Sequence, residues 1–289
     1  MDSGWAQGAA VGFDGSDEAG FPEGPAVWRG CVMGREMLLI GIGAGDPGWL
    51  TFEAAEAIRA LDVVFVVLKE SDKDDLVDFR RDLLRRHRDD APVTVELVDP
   101  PRPWQSAPDY DAAVAQWREQ RLTQWADAVQ DSLGEGRTGG FLVWGDPGLY
   151  ESTLAIVTDL AERIPDPPTV RVIPGISCVA ALSARHRIPL NRQGHAVQIS
   201  PARLLADGMP ADVDDVVVML DGRQTFASID PTGLDIYWGA YLGTPQEILI
   251  AGALEEVRDE IAQVRAEAKA SRGWMFDTYL LRRHTPAAR

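Results

Sequence analysis

Between residues 37 and 173 the chain alternates short apolar runs with longer amphipathic ones, and this alternation restricts the fold more than any other feature. It predicts strands at 37–43, 62–68, 93–98, 140–145 and 169–173, with helices at 51–61, 73–88, 109–133 and 152–164 between them. Successive strand-helix-strand units build parallel pairs through crossovers, so the fold class expected is α/β, a mainly parallel sheet covered by helices on both faces. The runs Val-Val-Phe-Val-Val-Leu (63–68) and Phe-Leu-Val-Trp (141–144) contain no polar residue, as expected of strands buried on both faces.

After Pro174 the pattern continues with a helix from about 177, strands near 195–200, 215–220, 234–239 and 274–281, and a long helix at 253–270 before the last strand. We expect two α/β domains, 37–165 and 166–289. Residues 1–36 are rich in Gly, Ala, Asp and Ser without helical or strand period and read as a disordered leader, with Met33 and Met37 as candidate alternative starts.

Charge narrows the partners. With 28 Lys and Arg against 45 Asp and Glu, a formal charge of -17 repels polyanions, so no nucleic-acid partner is expected and any anionic ligand needs a local basic patch. No apolar run reaches the roughly 18 residues that would cross a bilayer, and no secretory signal opens the chain. No membrane association and a cytoplasmic location are therefore expected. Cys31 and Cys178 form no framework, and His87, His186, His195 and His284 show no metal-ligand spacing, so no metal is expected.

Gly43-Ala44-Gly45-Asp46-Pro47-Gly48 follows the first strand and satisfies the dinucleotide pattern G-x-G-x-x-G. The chemistry opposes that reading: an ionised Asp46 and a proline without an N–H stand where phosphate would need amide donors. Gly145-Asp146-Pro147-Gly148 repeats the tetrapeptide after another strand. The bland alternative is a pair of tight turns that need glycine for φ > 0 or close backbone approach. A duplicated acid otherwise suits a cationic, donor-rich ligand; S-adenosylmethionine qualifies, with a sulfonium, an ammonium and ribose hydroxyls.

Taken in order and spacing, Gly-Ile-Gly-Ala-Gly-Asp-Pro-Gly-Trp-Leu-Thr (41–51), Gly-Asp-Pro-Gly-Leu-Tyr (145–150) and Val-Ile-Pro-Gly-Ile-Ser (172–177) resemble the tetrapyrrole methylase family. Within it, segments 141–153, 184–194 and 235–252 look like the branch that methylates precorrin-5 at C1, with release of acetate, in aerobic cobalamin synthesis. The resemblance covers roughly residues 37–283. It implies two domains with a mixed sheet in the second, an active-site cleft between them, S-adenosylmethionine as methyl donor and a homodimer. It also implies donor contacts from Gly145, Asp146, Tyr150, Ser177, Met219, Leu220, Tyr241 and Leu242, with Gly43 and Asp46 on the substrate side.

A substrate of this kind carries many carboxylates. The acid-free segment 184–195 supplies Arg185, Arg187 and Arg192, with His186 and His195, and is the expected substrate patch. The mixed-sign run 80–90 reads instead as a solvated helix face. Trp144 and Trp238, at strand ends, are the tryptophans expected near the cleft. Methyl transfer needs alignment rather than proton handling, so no catalytic triad is expected. For the deacetylation, Asp46 and Tyr150 are the candidate catalytic groups. The competing readings are a methylase of the same fold acting on another precorrin carbon or on diphthamide, a nicotinamide-dependent oxidoreductase, and a non-catalytic tetrapyrrole-binding protein.

Overall fold

The run Glu36–Gly41 forms strand β1, and its alternate side chains enter two different cores. Met37 and Leu39 pack with Trp125, Phe141 and Ile156, whereas Leu38 and Ile40, with Ile42 just beyond, pack with Ala54, Ile58 and Leu83. A strand buried on both faces leaves no position for a polar residue, which explains the unbroken apolar run. The computed structural model describes residues 34–68, 74–101, 109–273 and 275–284; the expected leader lies outside them except for its last three residues, as do Cys31 and Trp274.

From β1 the chain passes through α1 (Phe52–Ala60), β2 (Val63–Leu68), α2 (Asp74–His87), β3 (Val93–Val98), α3 (Tyr110–Ser132), β4 (Thr138–Val143), α4 (Thr153–Ala161) and β5 (Thr169–Ile173). Two of these helices begin on side-chain caps: the Thr51 hydroxyl accepts from the Ala54 amide at 3.0 Å and the Asp109 carboxylate from the Ala112 amide at 3.0 Å. The five strands form one parallel sheet in the order β3-β2-β4-β1-β5. Because β5 pairs with β1, the first sheet extends to Ile173, a few residues past position 165.

Helices α1 and α2 cover one face of this sheet and α3 and α4 the other. The neighbours β1 and β4 therefore send their following helices to opposite faces. A crevice opens at the carboxyl ends of two strands that diverge in this way, and both Gly-Asp-Pro-Gly turns sit there.

The second half runs α5 (Cys178–His186), β6 (Val197–Pro201), β7 (Asp215–Met219), β8 (Leu234–Ala240), β9 (Ile248–Ala253), α6 (Leu254–Arg272) and β10 (Asp277–Arg283). Its sheet has the order β6-β7-β10-β8-β9, with β6–β7 parallel and the other pairs antiparallel, the mixed sheet expected. Strand β9 is the element the sequence reading lacked: Ile248 and Ile250 face the core while Leu249 and Ala251 stay exposed, and the run is too short and small-residue-rich to signal a strand by itself. α6 covers one face through Leu254 and Ile261, while α5 covers the other through Val179 and Leu182. The α5 cluster also contains Ala44 and, partly buried, Trp49 and Leu149, so the loops of the first sheet share a core with the second.

Candidate active site

Gly43 and Gly145, one from each turn, are bridged by reciprocal hydrogen bonds, Gly43 N to Gly145 O at 3.2 Å and Gly145 N to Gly43 O at 2.8 Å. Their φ angles match at 77° and 73°, a left-handed conformation that favours glycine. In each turn the aspartate folds back on its own chain: Asp46 Oδ1 accepts from the Gly48 amide and Asp146 Oδ1 from the Gly148 amide, both at 2.8 Å. The other carboxylate oxygens diverge. Asp146 Oδ2 accepts from the Gly175 amide at 2.9 Å, whereas Asp46 Oδ2 lies 3.6 Å from Arg185 Nη2.

Asp146 thus clamps the Pro174–Ser177 segment to the second turn, at a point where three backbones meet. A Cβ on Gly175 would stand 2.1 Å from Gly145 O and 2.8 Å from Gly41 C. Ser177 then caps α5, its hydroxyl accepting from the Ala180 amide at 3.3 Å. From Tyr150 the phenol donates to Ile199 O on β6 at 3.3 Å, spanning from the first sheet's loops to the second sheet. Ile199 pairs with Val217, two residues before Met219.

Five non-glycine residues have positive φ among the described residues, and three of them are expected donor contacts: Tyr150 (50°), Leu220 (57°) and Tyr241 (50°). Each such residue costs roughly 1–3 kcal/mol and persists only where its surroundings impose it. For Leu220 the imposing element is the next residue. Asp221 is buried and accepts from the Arg223 and Thr225 amides (3.1 and 2.7 Å), the Thr225 hydroxyl (3.1 Å) and the Tyr279 phenol (2.8 Å), while its own carbonyl accepts from Arg265 at 2.6 Å. Arg265 also binds Asp277 at 2.8 Å, and Asp277 accepts from Trp238 Nε1 at 3.0 Å. Burial pushes the Asp277 carboxyl above its ordinary value even with Arg265 beside it, and burial raises the Tyr279 phenol as well. The network fixes the turn and leaves Leu220 projecting into solvent, 63% exposed. The sequence reading did not single out Asp221 or Asp277; for Asp221 the available hint was an acid directly after the apolar run 216–220.

The three arginines of the expected substrate patch are not gathered. Arg185 stacks over Trp49 at 4.8 Å and binds Glu247 at 3.0 Å, beside the first turn. Arg187 is exposed and ends α5 in a left-handed cap. Arg192 binds Asp215 at 3.1 Å and the Arg283 carbonyl at 3.0 Å. Asp215 begins β7 and pairs with Arg282, whereas Met219 ends it, so Arg192 sits about 13 Å along the strand from the donor-side end. In this position it anchors the loop before β6 to a buried acid. His195 belongs to the same far end, 3.1 Å from Asp214. Trp238 is likewise a core residue, fully buried, whereas Trp144 packs between Phe79 and Phe276. Burial holds His186 below its ordinary pKa, consistent with a neutral ring whose Nε2 lies 3.0 Å from the Trp238 carbonyl, and pushes the Cys178 thiol up to about 11. Among the described residues no group of three or more His, Cys, Asp or Glu is arranged to hold a metal ion, and no helix is long and apolar enough to cross a membrane.

The first turn is closed to a dinucleotide. A Cβ on Gly45 would meet Leu242 O at 2.5 Å, and one on Gly243 would meet Asp46 N at 2.7 Å and the Trp49 ring at 2.5 Å. By contrast nothing lies within 4 Å of the Cβ position at Gly145. What the fold defines is a two-sheet α/β protein with one open glycine turn at a switch point, walled by loops of the second half.

Residues 36–258 match the model of the tetrapyrrole (corrin/porphyrin) methylases, and the chain belongs to that family. It is 43% identical over 251 residues to precorrin-6A synthase [deacetylating] of a Sinorhizobium species, covering 86% of this chain and 95% of that protein. The crystal structure of a cobalamin-synthesis-related protein (CobF) from Corynebacterium diphtheriae superposes with a TM-score of 0.76 at 30% identity, covering 87% of this chain and all of the other. The fold is shared with uroporphyrin-III C-methyltransferase of Thermus thermophilus in complex with S-adenyl homocysteine, at a TM-score of 0.52 and 21% identity, over 85% of this chain and 96% of that one. The chain is therefore a C-methyltransferase of cobalamin biosynthesis.

Proposed function

We propose that this enzyme transfers a methyl group from S-adenosylmethionine to C1 of precorrin-5 and releases the extruded acetyl group as acetate, giving precorrin-6A. The observation that carries the reading is the 43% identity extending over 95% of the length of a precorrin-6A synthase.

The residues present suit the donor. Gly145 faces open space, and the exposed Tyr150 and Leu220 offer apolar surface. Gly145, Tyr150, Ser177, Met219, Leu220, Tyr241 and Leu242 would hold it, with Asp146 fixing the turn from behind. When bound, S-adenosylmethionine supplies an electrophilic methyl group. The chain's part is alignment of the acceptor carbon, worth roughly 7–11 kcal/mol when the geometry is right. On the substrate side Arg185 is the cation placed to receive a carboxylate, with Asp46 beside it. Asp46 and Tyr150 remain the groups proposed to assist water in acetate release. We extend the reading to a homodimer in the cytoplasm, which sedimentation and fractionation test.

The deciding experiment is incubation with precorrin-5 and labelled donor. The expected product carries one added methyl group with an equivalent of acetate released. Methylation without acetate, or no methylation of precorrin-5 by protein that binds S-adenosylhomocysteine, overturns the substrate assignment.

A further inference from the structure

One oxygen of Glu247 joins the two sides of the site. Its Oε2 accepts from the Gly243 amide at 2.7 Å and from Arg185 Nε at 3.0 Å. Gly243 closes the turn that begins with the strained Tyr241 and the buried Leu242, both on the donor side, and this turn is further tied by the Thr244 amide and hydroxyl donating to Tyr241 O at 3.0 and 2.8 Å. Arg185 Cζ lies over the Trp49 ring, 4.8 Å from its centroid, and with Nε on Glu247 and Nη2 toward Asp46, its Nη1 has no partner among the described residues. An arginine on the surface samples many rotamers, and holding it in one removes entropy that binding would otherwise have to remove. A guanidinium fixed by its Nε edge and its face leaves its outer edge ready for a carboxylate.

We propose, resting on the methyl-transfer reading above, that Glu247 is a positioning residue for both ligands: through a single oxygen it fixes the donor-side turn Tyr241–Gly243 and aims Arg185 at a carboxylate of the tetrapyrrole. The two duties separate chemically. A neutral amide oxygen can still accept from Gly243 N, but it no longer forms an ion pair with the Arg185 guanidinium. Removal of the side chain ends both duties.

The test compares Glu247→Gln, Glu247→Ala, Arg185→Ala and the double alanine variant, with the dissociation constant of S-adenosylhomocysteine from calorimetry and KM and kcat for precorrin-5 as readouts. Glu247→Gln is expected to raise KM about threefold to tenfold while leaving S-adenosylhomocysteine affinity within about twofold. Glu247→Ala is expected to weaken S-adenosylhomocysteine about tenfold and also raise KM. Arg185→Ala is expected to raise KM alone. In the double variant KM should not exceed that of Arg185→Ala, because Glu247 reaches substrate only through Arg185. Equal effects of Gln and Ala on both ligands, or KM effects that multiply in the double variant, overturn the proposal. Wild-type protein that neither binds S-adenosylhomocysteine nor turns over precorrin-5 overturns the functional reading instead.

Discussion

The turns at Gly43–Gly48 and Gly145–Gly148 share a tetrapeptide, an aspartate folded onto the amide two residues on, and a pair of left-handed glycines hydrogen-bonded to each other. They differ in what stands in front of them. Leu242, Gly243 and Thr244 press against the first, and nothing occupies the Cβ position at Gly145 in the second. The same local chemistry thus serves in one place to dock two halves of a molecule and in the other faces open space. A motif fixes backbone geometry; the chain that packs against it decides its use.

The largest effect is expected where the second turn meets its clamp. Gly175→Ala drives a Cβ into Gly145 O and Gly41 C, backbone atoms with no rotamer to escape by, and should lower stability by at least about 3 kcal/mol in urea denaturation. A near-neutral variant would show that these backbones are looser than described.

Next come the aspartates. Asp146→Ala strands the Gly148 and Gly175 amides and should weaken S-adenosylhomocysteine by about 1.5–3 kcal/mol. Asp46→Ala strands one amide and releases Arg185, both on the packed side, and should leave S-adenosylhomocysteine affinity nearly intact. If calorimetry gives the two variants equal losses, the division of labour between the turns is wrong.

Gly145→Ala sharpens the contrast further. The new methyl meets nothing in the protein, so only the left-handed φ of 73° opposes it, about 1–2 kcal/mol of stability. Affinity for S-adenosylhomocysteine should fall at least about tenfold, near 1.4 kcal/mol, because the methyl enters the donor's space. Undiminished affinity would place the donor elsewhere.

The smallest effect concerns pH. Burial lowers the folded pKa of His186 below the ordinary 6.5, so just under pH 6.5 the unfolded chain binds the proton more readily than the folded one. The stabilisation is complete above 6.5 and is lost as pH falls through the folded pKa. His186→Gln should flatten that part of a stability-against-pH curve, and an unchanged slope would assign it to other groups.

Much of the fold could be read from the sequence because burial on both faces writes an unbroken apolar run, as at 63–68 and 141–144, and crossover helices write the complementary period. Strand β9 could not, since Ile-Leu-Ile-Ala-Gly-Ala lies half-buried at a sheet edge and its alternation is weak. At the site, the glycine turns and the 172–177 segment were visible because special backbone geometry demands particular residues. Ion-pair partners were not: Arg185 and Arg192 look alike in a basic run, yet one meets Glu247 beside the first turn and the other a buried Asp215 at the far end of a strand. Only the register of β7 against β10 tells them apart.

Tyr150, Leu220 and Tyr241 carry side chains where glycine would rest without strain. Evolution toward heat resistance and evolution toward turnover would therefore pull these positions in opposite directions. Glycine at 220 relieves the torsion but removes the projecting side chain and loosens the turn, so a screen for survival at high temperature should enrich it while a screen for cobalamin output should purge it. Strained turns of this kind mark where a working enzyme is held short of the most stable protein its fold permits.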